Sequence, residues 1–196
     1  MDELLRRSIN INDRDIMLTT DEIAYKNREI YIVGEINAEK AKYVNSVLRD
    51  LARMSKDPIT LYIESPGGST SAALSIYDTA KSLDIIIKTV ASGTVASAAS
   101  FLLACAGTRD YRCSFENTEI LIHQPWCSGV QGQVSDLRIV ADHGIKLRSK
   151  MNKILADSTG KSIEQIETDT DRDLWLTAEE ALGYGLIDKI IDRFPF

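Results

Sequence analysis

Imidazole chemistry in this chain has two candidates, because His123 and His143 are its only histidines. His123 ends the apolar run Ile120-Leu121-Ile122 and precedes Gln124-Pro125. The end of a buried strand fixes a side chain, and imidazole is the group best matched to moving protons near neutral pH. His143 falls with Asp136 and Lys146 on the polar side of a predicted long helix and reads as a solvated residue. Ser97 stands among Ala96, Ala98, Ala99 and Ser100, a setting that suits either close helix packing or a nucleophile served by a nearby base. Two glycine-marked strand-to-helix turns, Ser65-Pro66-Gly67-Gly68 and Gly93-Thr94-Val95-Ala96-Ser97, stand out. Glycine admits close backbone approach, and a helix start leaves N–H groups pointing outward. Side by side, such turns aim N–H groups at one developing oxyanion; taken alone, they are two tight turns. The G-x-S-x-G elbow of α/β-hydrolases is absent. The acidic run Glu167, Asp169, Asp171, Asp173 reads by itself as a loop of turn formers.

Positioning these groups takes a frame of alternating strands and helices. Residues 29–33 read as a strand stopped by Gly34, and residues 38–55 carry Ala41, Val44, Leu48 and Leu51 at helical spacing. A strand at 59–63 leads through the first glycine turn into a helix with Ala73, Ile76, Tyr77, Ala80 and Leu83. A third strand, 85–91, is expected to break at Ser92-Gly93, and the run from Val95 to Ala106, apolar nearly all round, predicts a helix buried at the centre. Short strands at 110–115 and 119–123 precede a loop at 124–133. Residues 134–155 then predict a long helix with one apolar stripe, longer than this chain can cover, so that part of it projects toward another subunit. In the tail, Ser162 is placed to cap a short helix and Leu174-Trp175-Leu176 reads as a strand. Thr177 and Glu180 have capping-box spacing before Gly183 or Gly185, and residues 187–191 close as a last strand. The alternation predicts an α/β fold with mainly parallel pairing.

Charged residues make up 27% and hydrophobic residues 44% of the sequence, as in an ordinary globular protein. A net charge of −6 offers no basic surface for nucleic acid, and Arg6-Arg7 is too short to change that. No stretch reaches the ~18 apolar residues of a membrane span, and the opening segment lacks the hydrophobic region of a signal peptide. Cys105, Cys113 and Cys127 are odd in number with no C-x-x-C spacing, which predicts neither a disulfide framework nor a zinc site and fits a reducing, cytoplasmic setting. No cofactor, metal or nucleotide site is expected: the histidines lack ligand-spaced partners, and there is no G-x-x-x-x-G-K-[ST] loop. No linker divides residues 29–196, which read as a single domain after an N-terminal segment 1–28.

Taken together, several segments carry more than any does singly. Ser65-Pro66-Gly67-Gly68, the Ser97 segment, Ile122-His123-Gln124-Pro125, Gln131-Gly132-Gln133, Arg172-Asp173 and Tyr184-Gly185-Leu186-Ile187-Asp188 occur in this order. In this the chain resembles the proteolytic subunit of the Clp protease, from about Glu29 to Ile191. The resemblance implies an α/β, crotonase-like spiral of ββα units with a projecting handle helix at about 134–155. It implies a serine endopeptidase that degrades unfolded polypeptides inside two stacked seven-membered rings, fed by a Clp-type AAA+ unfoldase that consumes the ATP. Carried over by position, Ser97 is the nucleophile, His123 the base and acid, and Asp173 the orienting carboxylate. The N–H groups of Gly68 and Ala98 form the oxyanion hole, and Gln131, Gly132 and Gln133 border the substrate as an added strand. Tyr62 and Val90 keep the apolar character of the family's rim for docking the unfoldase.

The chain also departs from the family pattern. Ala98-Ala99 replace the usual Met-Gly, Ala73 a glycine and Glu64 an asparagine. Thr60, Ser82 and Ser92 stand where the docking rim is usually large and apolar, and residues 1–28 lack the axial-loop pattern. These changes predict an unfoldase partner that is non-standard, weakly bound or contacted through another subunit. Two alternatives share the fold: a crotonase-type acyl-CoA enzyme, and a non-catalytic ring subunit of a mixed assembly.

Overall fold

The structure is a computed structural model that describes residues 6–11, 14–126 and 131–194. The N-terminal segment, assigned no elements from its sequence, forms an antiparallel hairpin of β1 (Arg6–Ile11) and β2 (Arg14–Thr19), followed by α1 (Thr20–Lys26). Thr19 opens α1 with a reciprocal capping box to Glu22, which satisfies helix-start donors.

A seven-stranded sheet makes up the body, with strand order β3-β4-β5-β6-β9, β7 paired to β5, and β8 paired to β7. Its members are β3 (Glu29–Val33), β4 (Ile59–Ser65), β5 (Ile87–Ala96), β6 (Arg112–Phe115), β7 (Glu119–Ile122), β8 (Leu174–Leu176) and β9 (Lys189–Ile191). Every pairing is parallel except β7 with β8. The intervening helices are α2 (Ala38–Met54), α3 (Thr70–Ser82), α4 (Ala98–Ala106), α5 (Val134–Thr159), α6 (Ile163–Asp169) and α7 (Ala178–Tyr184). Their apolar faces join the inward residues of the sheet in one large core that includes Ile30, Leu48, Leu61, Ile76, Leu102 and Ile120.

β5 differs from its sequence reading. Ser92-Gly93 does not end the strand but marks an irregularity in its pairing with β4, with Gly93 at φ +59°. Beyond it the strand changes neighbour: Thr89 to Ala91 pair with β6, and Thr94 to Ala96 pair with β7. Val95 and Ala96 are therefore strand residues, and the predicted helix at 95–106 begins at Ala98. All nine residues of α4 are buried, as an all-round apolar helix requires.

α5 is one turn longer than 134–155. Gly160, in left-handed conformation, stops it, while the Ser158 and Thr159 hydroxyls donate to the carbonyls of Ile154 and Leu155. The buried residues of α5 are Asn152, Leu155 and Ala156, all near its C-terminus. Its first half projects, leaving Val134, Ile139 and Ile145 exposed.

One buried ion pair fastens the far side of the sheet. The Arg112 side chain is 5% exposed, and its guanidinium donates to both carboxylate oxygens of Asp188, at 2.9 and 2.5 Å. It also donates to the carbonyls of Ala104 and Ser158, tying β6 to α4, α5 and the approach to β9. Burial pushes the Asp188 carboxyl upward, but the Arg112 hydrogen bonds outweigh it and hold the group below the usual carboxylate range.

Candidate active site

Strand register brings three distant residues together. β5 and β7 run parallel with Ala96 opposite Leu121, so Ser97 and His123 emerge at neighbouring carboxyl ends, where open parallel sheets carry their sites. β8 runs antiparallel to β7 with Leu174 opposite Ile122, so the next position along sets Asp173 beside His123. The Ser97 hydroxyl lies 2.7 Å from His123 Nε2, and His123 Nδ1 lies 2.9 Å from Asp173 Oδ1. An ionised carboxylate can only accept, so Nδ1–H is the donor to Asp173. In the neutral imidazole this leaves Nε2 as acceptor for the serine hydroxyl. The Asp173 side chain is 64% exposed, so this pair is wetter than a buried one.

The turn that carries Ser97 is sharp and held. Ser97 has φ +58° and ψ −120° at the N-cap of α4, with no side-chain cap hydrogen bond, so its hydroxyl is not spent on the helix. Such a φ is costly for a non-glycine residue and persists where surroundings impose it. Here the Ser97 N–H donates to the Leu121 carbonyl at 2.9 Å, and the Ser97 carbonyl accepts from the Phe101 N–H and the Ser100 hydroxyl. The opposite arm is held as well. Gln124 N–H donates to the Thr170 carbonyl at 2.7 Å and its side-chain amide to the Asp171 carbonyl at 2.8 Å, which clamps the segment leading to Asp173.

The two glycine turns meet. A Cβ added at Gly67 would fall 2.6 Å from the Ala96 carbonyl oxygen and 3.0 Å from the Ala98 nitrogen. Gly68 is exposed and bridges Ile36, whose carbonyl accepts from the Ser69 N–H. Ala98 opens α4, where an N–H has no carbonyl one turn back to bond within the helix. Glu64 is exposed, with its carboxylate lying over Gly93. Beside Ser97 a small cavity is lined by Ala98, Phe101, Ile122, Met151, Asn152, Leu155 and Thr170. Asn152 is buried, and among the described residues its Nδ2 has no hydrogen-bond partner. Nothing in the sequence singles out Asn152, since a polar residue inside a helical stripe gives no signal of what it faces.

The other expected site residues lie apart from this cluster. Gln131, Gly132 and Gln133 lead into α5, with the Gln133 carbonyl accepting from Asp136 and Leu137 N–H groups; among the described residues they pair with no strand. Tyr62 and Val90 are register partners on β4 and β5 and form a second apolar cluster with Cys113. His143 lies on exposed α5. Burial pushes the Cys105 thiol up to about 12 and raises that of Cys113, so neither supplies a thiolate nucleophile near neutral pH. Cys127 lies outside the described residues.

Fold and site define an α/β protein with a serine, a histidine and an aspartate gathered at the carboxyl ends of parallel strands. Compared with models of known families, residues 12–194 match the family described as Clp protease. The chain belongs to the Clp protease family, a family of peptidases, and its mostly parallel sheet and helices are those of that fold. Among the described residues no helix is long and apolar enough to cross a membrane.

Proposed function

We propose that this chain is a serine endopeptidase in which Ser97 is the nucleophile. The observation that carries the reading is the continuous Ser97–His123–Asp173 arrangement, with contacts of 2.7 and 2.9 Å. Serine is a poor nucleophile at neutral pH unless a base takes its proton. His123 Nε2 accepts that proton as Ser97 Oγ bonds to the scissile carbonyl carbon, and Asp173 holds the tautomer and stabilises the imidazolium. The carbonyl oxygen gains the negative charge between the N–H groups of Gly68 and Ala98. Each such donor is worth on the order of 3 kcal/mol in the transition state. His123 then gives its proton to the leaving amine as the C–N bond breaks. A water deprotonated by the same nitrogen releases the acyl group and regenerates the serine.

The substrates in this reading are unfolded polypeptides, bordered by the backbone of Gln131, Gly132 and Gln133. The exposed apolar residues of the first half of α5 suit burial between rings, and in this reading the rings are stacked heptamers that work in the cytoplasm. A Clp-type AAA+ unfoldase, met at the Tyr62 and Val90 rim, delivers the chain. The half-buried Thr60 and Ser92 and exposed Ser82 favour a partner of non-standard type. A fluorophosphonate probe tests the reading: mass spectrometry should find the label on Ser97, and Ser97→Ala should assemble normally yet lose peptide hydrolysis. Hydrolysis undiminished in Ser97→Ala would overturn the assignment.

A further inference from the structure

Asn152 carries a polar group that the cleavage chemistry leaves unused. It lies in the C-terminal part of α5 and is 3% exposed. Among the described residues, the buried side-chain atoms without a hydrogen-bond partner are Asn45 Oδ1, Arg148 Nε and Asn152 Nδ2. Of these three residues, Asn152 is the one that lines the cavity beside Ser97. The rest of that lining leaves the amide unserved. Phe101, Ile122 and Leu155 are apolar, the Ser100 hydroxyl donates to the carbonyls of Ser97 and Leu121, and the Thr170 hydroxyl donates to that of Ile166. Buried donors are nearly always paired, because an unpaired one is destabilising. An orphan amide at a cavity beside a nucleophile is placed for an acceptor that arrives with the substrate.

The position of the cavity says which part of a substrate that is. Ser97, Ala98 and His123 all contribute to its wall, so a carbonyl carbon attacked by Ser97 Oγ sits at its mouth. The side chain of the residue owning that carbonyl begins two bonds from this carbon and is the one that enters. Ala98 presents only a methyl group there, which keeps the mouth open. Charge narrows the class further. No Lys, Arg, Asp or Glu lines the cavity, so a charged side chain would be buried without a counter-ion, at heavy cost. A primary amide answers Asn152 in kind: its oxygen accepts from Nδ2, and its own N–H can donate to an amide oxygen. An aliphatic stem below it packs on Phe101, Ile122 and Leu155.

We propose that Asn152 is a specificity-determining residue, whose Nδ2 donates to an uncharged acceptor at the tip of the substrate side chain on the acyl side of the cut, glutamine being the residue of that description. The proposal rests on Ser97 as the nucleophile and adds the class of residue after which it cuts. An apolar side chain of equal length fills the same space but leaves Nδ2 unpaired. A site built to hydrogen-bond its substrate discriminates against such an analogue more sharply than one that selects by size.

Fluorogenic peptides that differ only in the residue before the leaving group, glutamine, norleucine or glutamate, test this on the assembled full-length protein and on Asn152→Leu. Norleucine matches glutamine in length, so a change in pocket shape strikes both alike, and the quantity read is the ratio of their kcat/KM values. The glutamine-to-norleucine ratio should fall about tenfold in Asn152→Leu, as for one buried neutral hydrogen bond. Asn152→Ala gives the same readout should Asn152→Leu not fold. The intact protein should cleave the glutamate peptide on the order of a hundredfold more slowly than the glutamine peptide. A merely structural Asn152 would slow glutamine and norleucine peptides equally, and an unchanged ratio in both variants would overturn the proposal, as would glutamate cleaved as fast as glutamine. The two readings fail separately. Peptides hydrolysed with an unmoved ratio remove the role of Asn152 and leave Ser97 in place, whereas no hydrolysis of any peptide, with no fluorophosphonate label, removes both.

Discussion

Replacing Gly67 with alanine tests how the two glycine turns share the site. The new Cβ would lie 2.6 Å from the Ala96 carbonyl oxygen, 2.7 Å from Ser97 Cβ and 3.0 Å from the Ala98 nitrogen, and ordinary contact begins near 3.4 Å. The closest neighbour must therefore yield by about 0.8 Å, and two of the three contacts are backbone, without the freedom of a flexible side-chain tip. Retreat on the Ser97 side is blocked by its hydrogen bond to Leu121 and by α4, buried along its whole length. The displacement falls either on Ser97 Oγ relative to His123 or on the Gly68 N–H. Misplacing a reacting group by about 1 Å costs on the order of a hundredfold in rate. Alanine at φ +96° adds strain of roughly 1–2 kcal/mol. The assay is the initial rate on a fluorogenic peptide together with the rate of fluorophosphonate labelling, with thermal unfolding recorded alongside. Gly160→Ala is the control: it also stands at positive φ, but nothing lies within 4 Å of its added Cβ, so it should lose some stability and no activity. Should folded Gly67→Ala hydrolyse and label at the unaltered rate, the two turns do not jointly set the nucleophile, and the oxyanion-hole argument fails with them.

Asp188→Ala should lower stability by about 3–5 kcal/mol, because it strands a buried guanidinium. That corresponds to a fall of roughly 10 °C in melting temperature, read by calorimetry. The same pair sets an acid limit. With its folded value depressed, Asp188 contributes fully above the ordinary carboxylate value of ~3.9, and the contribution disappears as pH falls through the folded value. The alanine variant should accordingly lose the part of its acid-unfolding slope that lies in this range. Asn152→Leu should raise the melting temperature by a few degrees, since a buried Nδ2 with no partner among the described residues gives way to an apolar group of similar size; a lower value would mean that the amide is satisfied in the working protein.

Local pattern made much of the frame readable. The alternation in residues 29–33, the stripe of Ala41, Val44 and Leu48, and the Thr177/Glu180 capping box are local signals, and local signals decide those elements. The misreadings occur where a distant pairing decides instead. Val95 and Ala96 carry the hydropathy of the helix that follows, but hydrogen bonding to Ile120 and Leu121 makes them strand. Gly93 resembles a strand terminator and is a bend that lets one strand serve two neighbours. Asp157, Ser158 and Thr159 break the apolar stripe, yet α5 runs on to Gly160, with the Ser158 and Thr159 hydroxyls accommodated on the carbonyls of Ile154 and Leu155. The site divides the same way. Ser97, His123 and Asp173 were nameable because their segments occur in a known order, but that Asp173 faces His123 follows from the register of β8 on β7. Asn152, beside the serine, has no local pattern that announces it.

The complete burial of α4 has a consequence in time. Local opening costs least where backbone is exposed and most where it is packed on every side. The amide protons of α4 beyond its first turn should exchange among the last in the molecule, so Ser97 is attached to its slowest clock. Asp173, whose side chain is 64% exposed, stands at the other extreme, held by its contact with His123 and by the Gln124 clamp on the segment before it. In the proposed triad the serine is therefore fixed by packing, and the aspartate by a few hydrogen bonds that water can reach.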